Sequence, residues 1–189
     1  MSDYTAIADV SESLVQLLRD NLGGLVASDH VTLASPVDVE LDTAPWLILF
    51  VYQVDANAYL RNELPERIDA ENYRPAPATL DLFYMLVPYA TARDTEYQIL
   101  GRVVQVLASY PVLTGSQLRG SLAGSAVELH VVPTTLSMED LLRLWNTFTN
   151  RPFKVSLAYQ VAAVELDSLQ PPIHVTPVVE RNVRYTRIP

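Results

Sequence analysis

The chain has 189 residues, 49% of them hydrophobic and 19% charged, with a formal net charge of −9 and no cysteine. This composition excludes general disorder and fits one packed domain with apolar surface left for association. The acidic balance disfavours general nucleic-acid binding, for want of a broad positive field to displace phosphate counterions, and the missing cysteines exclude disulfides and thiolate chemistry.

Ile7, Val10, Leu14, Leu17 and Leu18 recur at helical spacing and predict an amphipathic helix over residues 3–21, with Gly23 and Gly24 as its stop. Asp3, Asp9 and Glu12 precede Arg19 there, unlike the basic start and apolar centre of a signal peptide, and no apolar run reaches membrane-spanning length. Synthesis and folding in the cytoplasm are the resulting expectation.

Residues 31–41 carry Val37, Val39 and Leu41 alternating with Asp38, Glu40 and Asp42, which predicts a strand or short hairpin with one wet edge. Three carboxylates at period two suit a hard cation by chemistry, but an outward row that resists edge aggregation is the simpler reading. Residues 46–54, WLILFVYQV, lack alternation and read as a central strand buried on both faces, and residues 79–87, TLDLFYMLV, as a second strong strand before Pro88. Between them runs a long polar excursion with Pro65, Pro75 and Pro77, which makes it a candidate assembly surface.

Asp94 is placed to cap a helix over residues 95–109, whose apolar face is Ile99, Leu100, Val103, Val106 and Leu107. Gly101 inside it costs about 1 kcal/mol relative to Ala and invites close packing. Pro111 ends the element, residues 114–126 read as a flexible connection, and Val127, Leu129 and Val131 begin another strand. Ser137 is the clearest N-cap, with Glu139 and Asp140 in the first turn of a helix bearing Leu141, Leu144, Trp145 and Phe148. Trp145 reads as a core anchor, with a subunit contact as its alternative. After Pro152, Val155, Leu157, Tyr159 and Val161 alternate with Ser156, Ala158 and Gln160, so Tyr159 belongs to the inward side of a strand.

This order predicts an α/β fold, a mixed β-sheet flanked by helices, over residues 1–168. Residues 169–189 differ, with Pro171, Pro172, Pro177 and Pro189 among scattered valines, and read as an extended arm or edge strand. Arg181, Arg184 and Arg187 cluster there, either to meet an acidic partner or to keep the segment soluble.

Enzyme readings lack the combinations they need. His30, His130 and His174 share no metal-ligand spacing, no serine sits in a nucleophile elbow, and neither a phosphate loop nor a dinucleotide glycine signature occurs. The GSQLRGSLAG segment has the wrong glycine spacing for a phosphate cradle, and Glu63, Glu66, Asp69 and Glu71 read as a solvated loop. No cofactor is expected.

The segments LVQLLRDNL, WLILFVYQVDANAYLRN, LDLFYMLVPYA, EYQILGRVVQVLASYPVL and SMEDLLRLWNTF followed by KVSLAYQVAAVELDS, in this order and spacing, resemble the N-terminal domain of the cap proteins of phage-tail-like extracellular contractile injection systems. The resemblance covers residues 1–168. It implies a tail-terminator fold and a structural role at the baseplate-distal end of the particle. There the chain would form a hexameric ring with copies of itself and contact the terminal inner-tube protein and the terminal sheath protein. Assembly would take place in the cytoplasm of the producing bacterium, within a particle that can be released. The family offers no catalytic residues to carry over. Tyr59, Leu60, Arg61 and Asn62 match the family segment after the buried strand and are the implied assembly contacts, while Trp145 matches the aromatic position before the last family strand. A non-catalytic adaptor acting as a monomer or small oligomer is the alternative.

Overall fold

The computed structural model describes residues 4–40, 42–60 and 64–175. Helix α1 (Ala6–Asn21) is followed by strands β1 (Val31–Leu33) and β2 (Trp46–Ala56), the short β3 (Glu66–Arg67) and β4 (Asn72–Arg74), and the long β5 (Ala78–Tyr89). Then come α2 (Arg93–Ser109), β6 (Val112–Leu113), β7 (Leu129–Thr134), α3 (Met138–Trp145), β8 (Leu157–Leu166) and β9 (Ile173–His174). Six strands form the main sheet in the order β1-β2-β5-β8-β7-β6, and β3, β4 and β9 form a separate small sheet. The β1–β2 pair is parallel and the other ladders of the main sheet are antiparallel, so the sheet is mixed, as the element order predicts.

Alternation along β5 assigns the two faces. Leu82, Tyr84 and Leu86 join the larger core with Val10, Leu14 and Leu18 of α1 and Ile99 and Val103 of α2, while Met85 and Val87 join a smaller cluster with Trp145 and Phe148. Helix α1 stops where Leu22 N–H returns to Leu18 O and Gly24 takes φ 90°, a left-handed conformation that glycine adopts without steric cost. Its interior serines are satisfied: Ser11 Oγ donates to Ile7 O and lies 2.8 Å from Tyr84 Oη, and Ser13 Oγ donates to Asp9 O.

The structure differs from the sequence reading in several places. In residues 31–41 only Val31–Leu33 form a strand; Pro36 follows at once, and Asp38 N–H closes a turn onto Ser35 O. The alternation of Val37 and Val39 therefore has no ladder behind it, and Leu41 lies outside the described residues. β2 is buried on both faces only at its start, with Leu47, Ile48 and Leu49 at 0% exposure, and Gln53 to Ala56 are exposed. Asp94 is not the cap of α2: the cap position is Ala92, and Asp94 sits in the first turn, accepting from Gln98 Nε2. Strand β8 begins at Leu157, leaving Val155 half exposed.

The connection over residues 114–126 is docked instead of flexible. Two short 3₁₀ turns bring Leu118 and Leu122 into the larger core, and α1 holds them by polar contacts. Arg119 N–H donates to Ser13 Oγ at 2.9 Å, and Asp9 Oδ2 accepts from Ser121 N–H at 2.9 Å and from Ser121 Oγ at 2.6 Å. Gly120, at φ 59°, is required for this approach, since a Cβ there would stand 1.9 Å from Asp9 Oδ1. A glycine-rich composition looks the same whether a loop is loose or closely fitted, so the sequence pattern missed the docking.

Candidate assembly surface

Tyr59 is 94% exposed, yet the turn that presents it is fixed. Asn57, at the end of β2, is buried; its N–H donates to Thr79 O and its Oδ1 accepts from Tyr59 N–H and Leu60 N–H, both at 3.0 Å. Asn57 Nδ2 donates to Asp81 Oδ1, which also accepts from Ala163 N–H at 3.0 Å. Ala163 has φ 58°, and the register slips between Leu80 and Leu82 opposite it, so Asp81 stabilises a bulge that joins β5 to β8. The Asn57 side chain thus ties the Tyr59 turn to β5, and Asp81 carries the link on to β8. Leu60 beside it is half-buried, and Arg61 and Asn62 lie outside the described residues. From the sequence Asn57 stands only among the residues that open the excursion, with no anchoring role, although an Asn whose oxygen caps the amides two and three residues on is a recognisable turn signal.

The excursion after this turn is not a structureless loop. β3 and β4 make a hairpin whose turn is held by Asp69, accepting from Glu71 N–H, Asn72 N–H and Asn72 Nδ2; the Asn72 side chain is the main cause of a carboxyl held below its ordinary range. β9 pairs with β4, Ile173 opposite Tyr73, and Val175 N–H continues the pairing to Glu71 O at 2.7 Å. The start of the C-terminal segment therefore adds a strand to its own chain's hairpin. Leu64, Pro65, Tyr73, Ile173 and Val175 line an apolar cavity of about 350 Å³ on this small sheet. Arg181, Arg184 and Arg187 lie outside the described residues.

Ser137 caps α3, its Oγ accepting from Asp140 N–H at 3.1 Å. Trp145, at the end of α3, is 4% exposed, meets Phe148 edge-on with ring centroids 5.5 Å apart, and leaves its buried Nε1–H without a hydrogen bond. Tyr159 lies on the opposite face, in the larger core, where burial pushes its hydroxyl pKa up. Glu96 is buried against Lys154, the single lysine of the chain, and accepts from Ala90 N–H. Lys154 also stands 5.6 Å from the ring centre of Tyr89, whose hydroxyl burial raises to about 12. This pairing fastens the segment between α3 and β8 to the start of α2. An apolar cavity of about 500 Å³ opens between the C-terminal half of α2, β7, β8 and the start of α3, near Val104, Leu107, Pro133, Leu136 and Leu141.

The three histidines stay apart. His30 stacks on Trp46 at 3.9 Å, His130 is nearest Glu128, and His174 nearest Glu71. Among the described residues no group of three or more His, Asp or Glu side chains is arranged to hold a metal ion, and no helix is long and apolar enough to cross a membrane. What the surface offers is contact: a rigidly held aromatic, apolar cavities and backbone edges.

The family model for the Pvc16 N-terminal domain matches residues 9–180. The chain belongs to this family. Its fold is similar to that of the sheath/tube terminator of an extracellular contractile injection system in the extended state, with a TM-score of 0.65 and 20% identity over 99% of this chain and 66% of that one. It is also similar to the tube-terminating cap of the anti-feeding prophage, with a TM-score of 0.66 and 19% identity over 94% of this chain and 61% of the other. The Pvc16-type chain thus spans less than two thirds of the length of these two structures. No curated protein matches it. The fold and the family resemblance read from the sequence segments are both borne out by these comparisons.

Proposed function

We propose that this Pvc16-family chain is a non-catalytic structural cap that terminates the inner tube and the contractile sheath of an injection particle, at the end distal to the baseplate. The observation that carries this reading is the family match over residues 9–180, together with a likeness of fold to two terminating proteins. The chain acts as a ring of six copies, whose closed symmetry satisfies every repeated interface and matches a sixfold tube. It assembles in the producing cell before the particle is released. Tyr59 and Leu60, with Arg61 and Asn62 beyond them, form an assembly contact, supported by the exposure of Tyr59 on a turn that Asn57 holds fixed. Residues 169–189, which pair with the chain's own hairpin at β9, act beyond that strand as an arm toward a partner, with Arg181, Arg184 and Arg187 as its basic contacts.

Mass measurement and electron microscopy with purified tube and sheath components test the reading. Six-membered rings, or density at one end of the tube and sheath, are expected. A chain that stays monomeric and ignores both components overturns it in favour of an adaptor role.

A further inference from the structure

Three unfavourable features meet beneath the Tyr59 turn. Ala163 holds φ 58°, a left-handed conformation that alanine adopts only under constraint; Asn150, the other non-glycine residue with positive φ among the described residues, has a side chain that tolerates it. Asp55 stands directly across the β2–β5 ladder from Asp81, so two carboxylates share one face of the sheet. Thr79, two residues before Asp81 on that face, buries its Oγ1 without a hydrogen-bond partner among the described residues. A glycine at 163 would relieve the first feature and a neutral residue at 55 the second, so stability of the sheet does not call for either.

Asn57 links them. Thr79 O accepts from Asn57 N–H at 2.8 Å, Asp81 Oδ1 accepts from Asn57 Nδ2 at 2.9 Å, and the same oxygen accepts from Ala163 N–H at 3.0 Å. Asn57 Oδ1 then takes the amides of Tyr59 and Leu60. A short run of hydrogen bonds therefore leads from a strained residue of β8 to the turn that presents the exposed aromatic. Strain of this kind persists only where the surroundings over-determine it, and it gathers where a conformation must be ready before binding. A turn already fixed loses no backbone freedom on contact, so its side chain binds more tightly than the same side chain on a loose loop.

We propose that Asn57 and Asp81 are positioning residues of the assembly contact: their hydrogen bond sets the Tyr59 turn in its binding conformation before a partner arrives, with Asn57 itself buried away from that partner. The inference rests on the reading of Tyr59 and Leu60 as a contact. It accounts for a carboxylate kept at 81 beside Asp55, because one ionised oxygen serves two donors at once and holds each more strongly than a neutral acceptor.

The test exchanges the pair. Asn57→Asp keeps an oxygen for the turn amides but sets a carboxylate against Asp81. Adding Asp81→Asn restores the bond in reverse, with the new amide donating to position 57 and its oxygen still accepting from Ala163 N–H. Full-length wild type, Tyr59→Ala, both single exchanges and the double exchange are compared by the concentration giving half-maximal assembly with purified tube and sheath components. Amide exchange in α1 of the unassembled chain reports the state of the fold. Asn57→Asp is expected to raise the assembly concentration about tenfold, the change that one hydrogen bond to a charged group makes in an equilibrium, while α1 keeps its protection. Asp81→Asn alone should weaken assembly less, and the double exchange should return it to within about threefold of wild type. If Asn57→Asp loosens α1 as well, Asn57→Ser carries the same comparison, since it too keeps an oxygen for the amides and loses the donor to Asp81; the same loosening there overturns the inference. Asn57→Asp that assembles like wild type while Tyr59→Ala does not, or a double exchange no better than Asn57→Asp, overturns the inference and leaves the contact reading intact. Tyr59→Ala that assembles like wild type overturns both, and a wild-type chain that forms no rings and binds no tube or sheath overturns the cap reading with them.

Discussion

On one face of the six-stranded sheet, helices of 16 and 17 residues cover the central strands and bury Leu14, Leu18, Leu49, Leu82, Ile99 and Val103 together. On the other, an 8-residue helix and two irregular segments cover Ile48, Met85 and Val87, leaving Trp145 Nε1 unpaired and Met138, Leu142 and Phe153 exposed. The first face has the dense, mutually supporting packing that sets global stability. The second is held by a few aromatic contacts and the Lys154–Glu96 pair, so it opens at lower cost. For the proposed cap role this division would let one side hold the fold while the other adapts to a partner.

The largest effect should come from the first face. Leu18→Ala is expected to cost about 3 kcal/mol, by lost transfer energy and a cavity that two packed helices do not refill, read as a shift in denaturant midpoint. Gly120→Ala follows at about 2 kcal/mol, since the new Cβ combines a left-handed backbone with a collision against Asp9. Trp145→Phe should cost about 1 kcal/mol, because the smaller ring leaves a gap but removes an unsatisfied buried donor. Its sharper signature is hydrogen exchange: residues 138–148 should lose protection while α1 keeps its own. If α1 loosens equally, the two faces unfold as one unit and the contrast fails.

Two smaller effects refine the picture. Gly101 faces open space, with nothing within 4 Å of a Cβ built on it, so the close packing expected there does not occur among the described residues. Gly101→Ala should therefore stabilise the isolated protein by about 0.5–1 kcal/mol in thermal melts. The smallest effect concerns pH. Burial raises the Asp9 pKa, but hydrogen bonds from the Ser121 side chain, Thr5 and the Ser121 backbone outweigh it and hold the group below its ordinary value. Its contribution is present above the unfolded pKa of about 3.9 and is lost as pH falls through the lower folded value. Exchange of the Ser121 amide should accelerate relative to unstructured controls below about pH 4, and Asp9→Asn should remove that dependence.

Much of the fold was legible because periodicity reports burial directly. The stripe of Val10, Leu14, Leu17 and Leu18, the strand residues of β5, and Ser137 before an apolar stripe all correspond to elements seen in the structure. Where the pattern misled, a local signal had two physical causes. The alternation of Val37 and Val39 looks like a strand but follows Pro36 into a turn, and Asp94 is a good cap residue placed two positions too late. Of the candidate assembly surface, the segment after β2 was singled out from the sequence, and Tyr59 within it is exposed. Asn57 as its anchor, Asp81 as the partner of a bulge at Ala163, and the return of β9 to β4 were not legible, since each depends on residues brought together from distant parts of the chain.

The sequence by itself determined the helices, the long strands, the mixed α/β class and the family, because these follow from spacing, capping and ordered segments along the chain. Only the tertiary structure decided which edges remain open. A strand's backbone offers the same donors and acceptors whatever its side chains, and whether they find partners depends on how far its neighbours extend. β1 stops at Leu33 while β2 runs on to Ala56, so among the described residues no strand pairs with Phe50–Ala56 on the side away from β5.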